Sequence, residues 1–107
     1  MQVTTLPQQE MARERSLGKY GRMKEQQLKE QRPVVYQILL MNNKLTEYLL
    51  EIDEMANSRM KALVPILTQE AGATEDLKAT DPKRWAQLMK NCKARAEELV
   101  LAGLIYN

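Results

Sequence analysis

Histidine and phenylalanine are absent from this chain of 107 residues, and there is a single cysteine. These gaps exclude several chemistries. Without histidine there is no imidazole base, no Cys/His metal set and no Glu-x-x-His pair of a di-iron bundle. One thiol cannot close a disulfide within the chain, and a lone thiol suits a reducing interior such as the cytosol. The longest aliphatic runs, such as Ile38-Leu39-Leu40-Met41, are far too short to span a bilayer. The opening MQVTTLPQQE lacks the apolar run of a signal peptide. The expectation is a cytoplasmic protein with no membrane contact. Seven methionines with few aromatics point to an adaptable helical core.

Charge of either sign is not in large excess. The formal net charge is +2, which argues against an avid, nonspecific nucleic-acid binder. The distribution is uneven, however. Residues 1–32 hold seven Lys/Arg against four Asp/Glu, whereas the rest of the chain is close to neutral. At this length one domain is expected, with residues 1–16 a flexible polar tail and residues 17–107 a single helical domain.

Apolar spacing sets the fold class. Gly18 and Gly21 allow positive φ and mark an irregular loop, followed by a helix of good helix formers from Arg22 to Gln31. Pro33 suits the first turn of a second helix carrying VVYQILLM. Asn42 or Asn43 can take the left-handed conformation that ends it. Leu45, Tyr48, Leu49, Ile52, Met55, Ala56, Met60, Leu63 and Leu67 recur every three or four residues, which predicts a long amphipathic helix. Pro65 should kink it, and Gly72 should stop it. Thr74 and Asp81-Pro82 read as helix caps. A last stripe runs through Trp85, Leu88, Met89, Cys92, Ala96, Leu99, Val100 and Gly103. The fold class predicted is all-α: a three- to four-helix bundle built on a long antiparallel helical hairpin, with the helix of residues 33–41 across it and a short basic N-terminal helix. Leu104, Ile105 and Tyr106 either fold back onto the bundle or form a homodimer seam, and spacing leaves both open.

Few residues offer chemistry. Glu47, Glu51 and Glu54 share one face at i, i+4 and i+7, where carboxylates could act as acid and base or hold a cation, but a solvated helix face explains them. Gly18-Lys19 lacks the earlier glycine and the Ser/Thr of a phosphate loop. Cys92 falls within an apolar stripe with no base to activate it. No catalytic residue, metal site, cofactor or small-molecule substrate is expected, and the chain is read as not an enzyme. Residues 34–53 have the outline of helix, turn, helix, yet Glu47, Glu51, Asp53 and Glu54 on the second helix would repel phosphates. The better nucleic-acid candidate is the basic phrase: Lys19, Tyr20, Arg22, Lys24, Lys29 and Arg32.

That phrase also carries a resemblance. Gly18-Lys19-Tyr20-Gly21-Arg22-Met23, Arg32-Pro33, the leucine-rich run to Glu51-Ile52-Asp53, Asp81-Pro82 with Trp85, and the closing Leu104-Ile105-Tyr106 resemble the TnpV family of small transposon-encoded proteins over residues 17–107. The chain departs from the family where Lys24 is followed by Glu25-Gln26-Gln27 instead of further basic and aromatic residues, and where Gln31 precedes Arg32-Pro33. The resemblance implies the context of a bacterial mobile element, where accessory proteins are carried beside a recombinase. The lead expectation is an accessory or regulatory protein acting by contact with DNA or with the element's recombinase. The alternative is a protein-binding module that inhibits a host defence effector such as a CRISPR nuclease, through the face of Glu47, Glu51 and Glu54.

Overall fold

The computed structural model describes residues 17–107, so the tail expected over residues 1–16 lies outside the described residues. Helices follow one another: α1 (Lys19–Gln31), α2 (Pro33–Met41), α3 (Leu45–Ala71), α4 (Glu75–Thr80), α5 (Pro82–Val100) and a π-helical turn at Leu101–Ile105. Among the described residues there is no strand, and the all-α expectation holds. Contacts group the chain into two compact units, with the boundary inside α3 between Met55 and Ala56.

In the first unit, α1 runs antiparallel to the start of α3. Gly18 meets Asp53, Gly21 meets the Leu49 carbonyl, and Leu28 joins Leu45 in one cluster with Leu17 and Leu49. Leu28 and Leu49 are fully buried, each contributing about 1.5–3 kcal/mol of apolar burial. Helix α2 follows α1 at Pro33 and rests Tyr36 and Leu39 against this cluster. It ends where Asn43 takes φ 57°, the left-handed conformation expected there.

The beginning of α1 differs from expectation. The helix starts at Lys19, Gly18 has φ −88°, and Gly21 lies inside the helix. Neither glycine has positive φ. Their smallness serves close approach instead. A Cβ on Gly18 would stand 2.6 Å from the Asp53 carboxylate, and one on Gly21 would stand 3.1 Å from the Leu49 carbonyl oxygen.

In the second unit, α3 and α5 form an antiparallel hairpin. The Cys92 Sγ donates to the Leu67 carbonyl oxygen at 3.4 Å, and Gly103 lies opposite the Arg59 guanidinium. Helix α3 runs without interruption past exposed Pro65, although proline supplies no amide to the helix there. Gly72, at φ 81°, closes it. The Thr74 hydroxyl accepts from the Leu77 amide and the Asp81 carboxylate from the Arg84 amide, so both expected caps form. Lys78 sits 4.7 Å from the centre of the Trp85 ring, which pins α4 to α5.

The stripe of α5 holds through Cys92, Ala96 and Val100 and then shifts. Leu104 and Ile105 are buried while Gly103 is exposed. The π-helical turn is the reason: its wider i→i+5 spacing rotates each residue less than an α-turn does. Leu104 and Ile105 therefore fold back within the chain, and Tyr106 stays exposed.

Candidate nucleic-acid interface

Helix α1 begins without help from its own neighbours. Gly18 at its N-cap has no side chain, and the first turn carries no acidic residue. Its amides find their acceptor on α3. The Asp53 carboxylate accepts from the Gly18 amide at 2.7 Å and from the Gly21 amide at 3.2 Å. Asp53 is buried, so its charge needs such partners, and a carboxylate at a helix N-terminus is also favoured by the helix dipole. Asp53 thus acts as an N-cap supplied from another helix. It clamps the start of α1 and fixes which face of α1 turns outward.

The inward face holds Tyr20 (6% exposed), Lys24 (4% exposed), Gln27 and Leu28. Tyr20 and Lys24 therefore do not lie on a surface that DNA can reach, contrary to their place in the basic phrase read from sequence. Lys24 has its pKa lowered from the ordinary 10.5, first by burial and then by the positive charge of Arg32. The Gln27 Oε1 is buried without a hydrogen-bond partner.

The outward face holds Lys19, Arg22 and Lys29, all exposed, with Gln26 between them. Spacings of three, four and three residues place the four on one stripe, about 15 Å long at 1.5 Å per residue. Exposed Arg32 follows at the end of the helix. The stripe is tempered by acids: Lys29 lies 4.0 Å from the Glu25 carboxylate, and the Gln26 amide donates to Glu30. Lys29 also stands 5.5 Å from the centre of the Tyr36 ring, and Lys19 the same distance from that of Tyr20. Side chains that hold charge and amide groups outward from one rigid helix can meet phosphates and base edges.

The acidic face also forms. Glu47, Glu51 and Glu54 are all exposed on α3, and Glu47 lies 3.9 Å from the Lys44 ammonium. No group of three His, Cys, Asp or Glu side chains among the described residues is placed to hold a metal ion. Cys92 is a buried free thiol. No helix of the described residues is long and apolar enough to cross a membrane.

Sequence reasoning missed Asp53 as a structural partner and Gln26 as a member of the outward stripe. A signal for Asp53 was present. It lies four residues after Leu49 and three before Ala56, so it interrupts the apolar stripe of α3 with a charge that must be satisfied.

Helices alone among the described residues, one of them clamped with a row of cations facing solvent, define a small all-α protein. The chain belongs to the TnpV family: the model of that family, described as transposon-encoded protein TnpV, matches residues 3–105. The match begins well before Leu17, so the polar N-terminal stretch is part of what the family shares. No curated protein and no solved structure matches the chain.

Proposed function

We propose that this TnpV-family chain is a non-catalytic accessory protein of its transposon that acts by contact, with the outward stripe of α1 laid against DNA at the element's ends. The observation that carries the reading is the exposed row Lys19, Arg22, Gln26 and Lys29 on a helix whose rotation Asp53 fixes. Lysine and arginine neutralise phosphates and release counterions. Arginine and glutamine can also pair with guanine and adenine edges. The modest net charge of the chain suits selective over indiscriminate binding.

The test is fluorescence anisotropy with a transposon-end duplex and a scrambled duplex, at low and near-physiological salt. Site-selective, salt-sensitive binding that weakens in Arg22→Ala and Lys29→Ala is expected. Absent binding, or binding indifferent to both substitutions, would overturn the DNA reading.

A second reading rests on the exposure of Glu47, Glu51 and Glu54 along one face of α3. Such a row of carboxylates suits the basic nucleic-acid groove of a protein, whether the element's recombinase or a host nuclease. A stable complex with such a protein, abolished by reversing these three charges, would favour it over DNA contact.

A further inference from the structure

Helix α5 carries a local charge asymmetry that the near-neutral total of its half of the chain conceals. Between Pro82 and Ala96 there are five cations and no acid. The nearest acids stand at the two ends, Asp81 before the helix and Glu97 and Glu98 in its last turn. Lys83, Arg84, Lys90, Lys93 and Arg95 are all exposed. Among the described residues the first four enter no ion pair, and Arg95 is tempered by Glu98 at 3.6 Å. The placement does not serve the helix itself. A helix dipole favours acids in the first turn and cations in the last. Helix α5 has Lys83 and Arg84 in its first turn, no acid there, and no basic residue in its last. A local rule broken without gain to the fold points to a partner.

Helical geometry sorts these side chains. At about 100° per residue, Gln87, Asn91 and Ala94 fall within about 60° of one another. All three are exposed, opposite buried Cys92, Ala96 and Val100. Lys83 and Lys90 border this band on one side, and Arg84 and Arg95 border it on the other. Short amide and methyl groups thus run down the middle, between two rows of long cationic ones. From Lys83 to Arg95 the band is about 18 Å long at 1.5 Å per residue. We propose that α5 enters the major groove of DNA, with Gln87 and Asn91 facing base edges and the bordering cations facing the phosphates of the two strands. The major groove admits one α-helix, and amide side chains pair there with adenine. A lipid surface does not suit this helix. Helix α5 packs its apolar stripe on α3, where Cys92 meets the Leu67 carbonyl, and a helix lying in a membrane needs that stripe for lipid. An acidic protein would answer the cations. A duplex answers the cations and the amides together, with two rows of phosphates and hydrogen-bonding edges between them. The inference rests on DNA being the partner, but not on α1 contacting it.

The test is anisotropy of the full chain with a transposon-end duplex and a scrambled duplex. Lys83→Ala combined with Lys90→Ala should weaken both duplexes alike and lower the salt slope by about two, one for each phosphate. Gln87→Ala combined with Asn91→Ala should weaken the transposon-end duplex by about tenfold or more and leave the scrambled duplex unchanged. All four positions are exposed and alanine is the best helix former, so circular dichroism should be unchanged. A transposon-end duplex carrying 7-deazaadenine lacks an acceptor that adenine presents in the major groove. It should bind the parent more weakly, and the Gln87→Ala, Asn91→Ala protein no differently. Binding that needs Arg22 and Lys29 but ignores all four α5 substitutions overturns the inference and leaves the α1 reading standing. A parent that binds neither duplex overturns both. A lowered salt slope with selectivity intact in the amide variant makes α5 a phosphate contact alone and overturns groove entry. Binding of phosphatidylserine-rich vesicles or of an acidic protein in place of either duplex would reassign the face and overturn it as well.

Discussion

Asp53 and Gly18, separated by 35 residues in sequence, are joined by a 2.7 Å hydrogen bond from the Gly18 amide to the Asp53 carboxylate. The Gly21 amide donates to the other oxygen at 3.2 Å. A helix without a cap of its own is thus capped by its neighbour. Asp53→Ala removes a charged acceptor from two amides and should cost about 2–4 kcal/mol, since such bonds are worth more than neutral ones. Asp53→Asn keeps one acceptor oxygen and should cost about half as much. Urea unfolding followed by circular dichroism measures both, and near-equal stability of Asp53→Ala and the parent would contradict the clamp.

The glycines make the same relationship testable from the other side. An alanine inside a helix is normally favoured over glycine by about 1 kcal/mol. At Gly21 the added Cβ would meet the Leu49 carbonyl at 3.1 Å and the Leu17 side chain at 2.8 Å. Gly21→Ala should therefore reverse the usual sign and destabilise by about 1–3 kcal/mol. A stabilised variant would show that α1 stands farther from α3.

Local and distant causes separate what could be read in the sequence from what could not. The spacing of Leu45 to Leu67 and of Trp85 to Val100 repeats within a few residues, so α3 and α5 were legible. The caps at Thr74 and Asp81 and the left-handed Asn43 and Gly72 depend on side chains or backbone freedom at the turn itself. The Gly18 and Gly21 pair reads as a loop in the sequence because the cause of its helical start lies on another helix. Composition groups Tyr20 and Lys24 with their basic neighbours because it does not show which way a helix is rotated. Once Asp53 fixes that rotation, Lys19, Arg22 and Lys29 remain outward and the other two turn in. The shift at Leu104 and Ile105 came from a π-helical turn, which a 3.6-residue period cannot anticipate.

Gln27 should be improvable. Its Oε1 is buried without a partner, and burying an amide oxygen unsatisfied costs about 1–3 kcal/mol. Gln27→Met retains an unbranched side chain of similar length and removes that cost. Its thermal midpoint should rise. A fall would mean that the amide makes a contact the protein needs.

Lys24 should make stability depend on alkaline pH. Burial, and secondarily Arg32, lower its folded pKa below the unfolded 10.5. Between those two values the unfolded chain binds more protons than the folded chain, so this residue's contribution makes stability rise with pH. Below the folded value the full penalty of burying the ammonium applies. The stability of Lys24→Met relative to the parent should therefore be greatest near neutrality and decline as pH approaches 10.5. Arg32→Gln should narrow this window without closing it, because burial remains the larger cause. Denaturant titrations of parent and variants across that range measure the effect, and a difference constant with pH would place Lys24 in a solvated site.

The α1 stripe makes one further prediction, through the salt dependence of DNA binding. Each phosphate contact contributes close to one unit to the slope of log affinity against log salt. Arg22 is exposed on the outward stripe, so Arg22→Ala should lower the slope by about one per copy bound. Anisotropy titrations of parent and variant over a range of salt read both slopes. A slope indifferent to Arg22 would remove this side chain from the phosphates altogether and leave the acidic face of α3 as the surface to pursue.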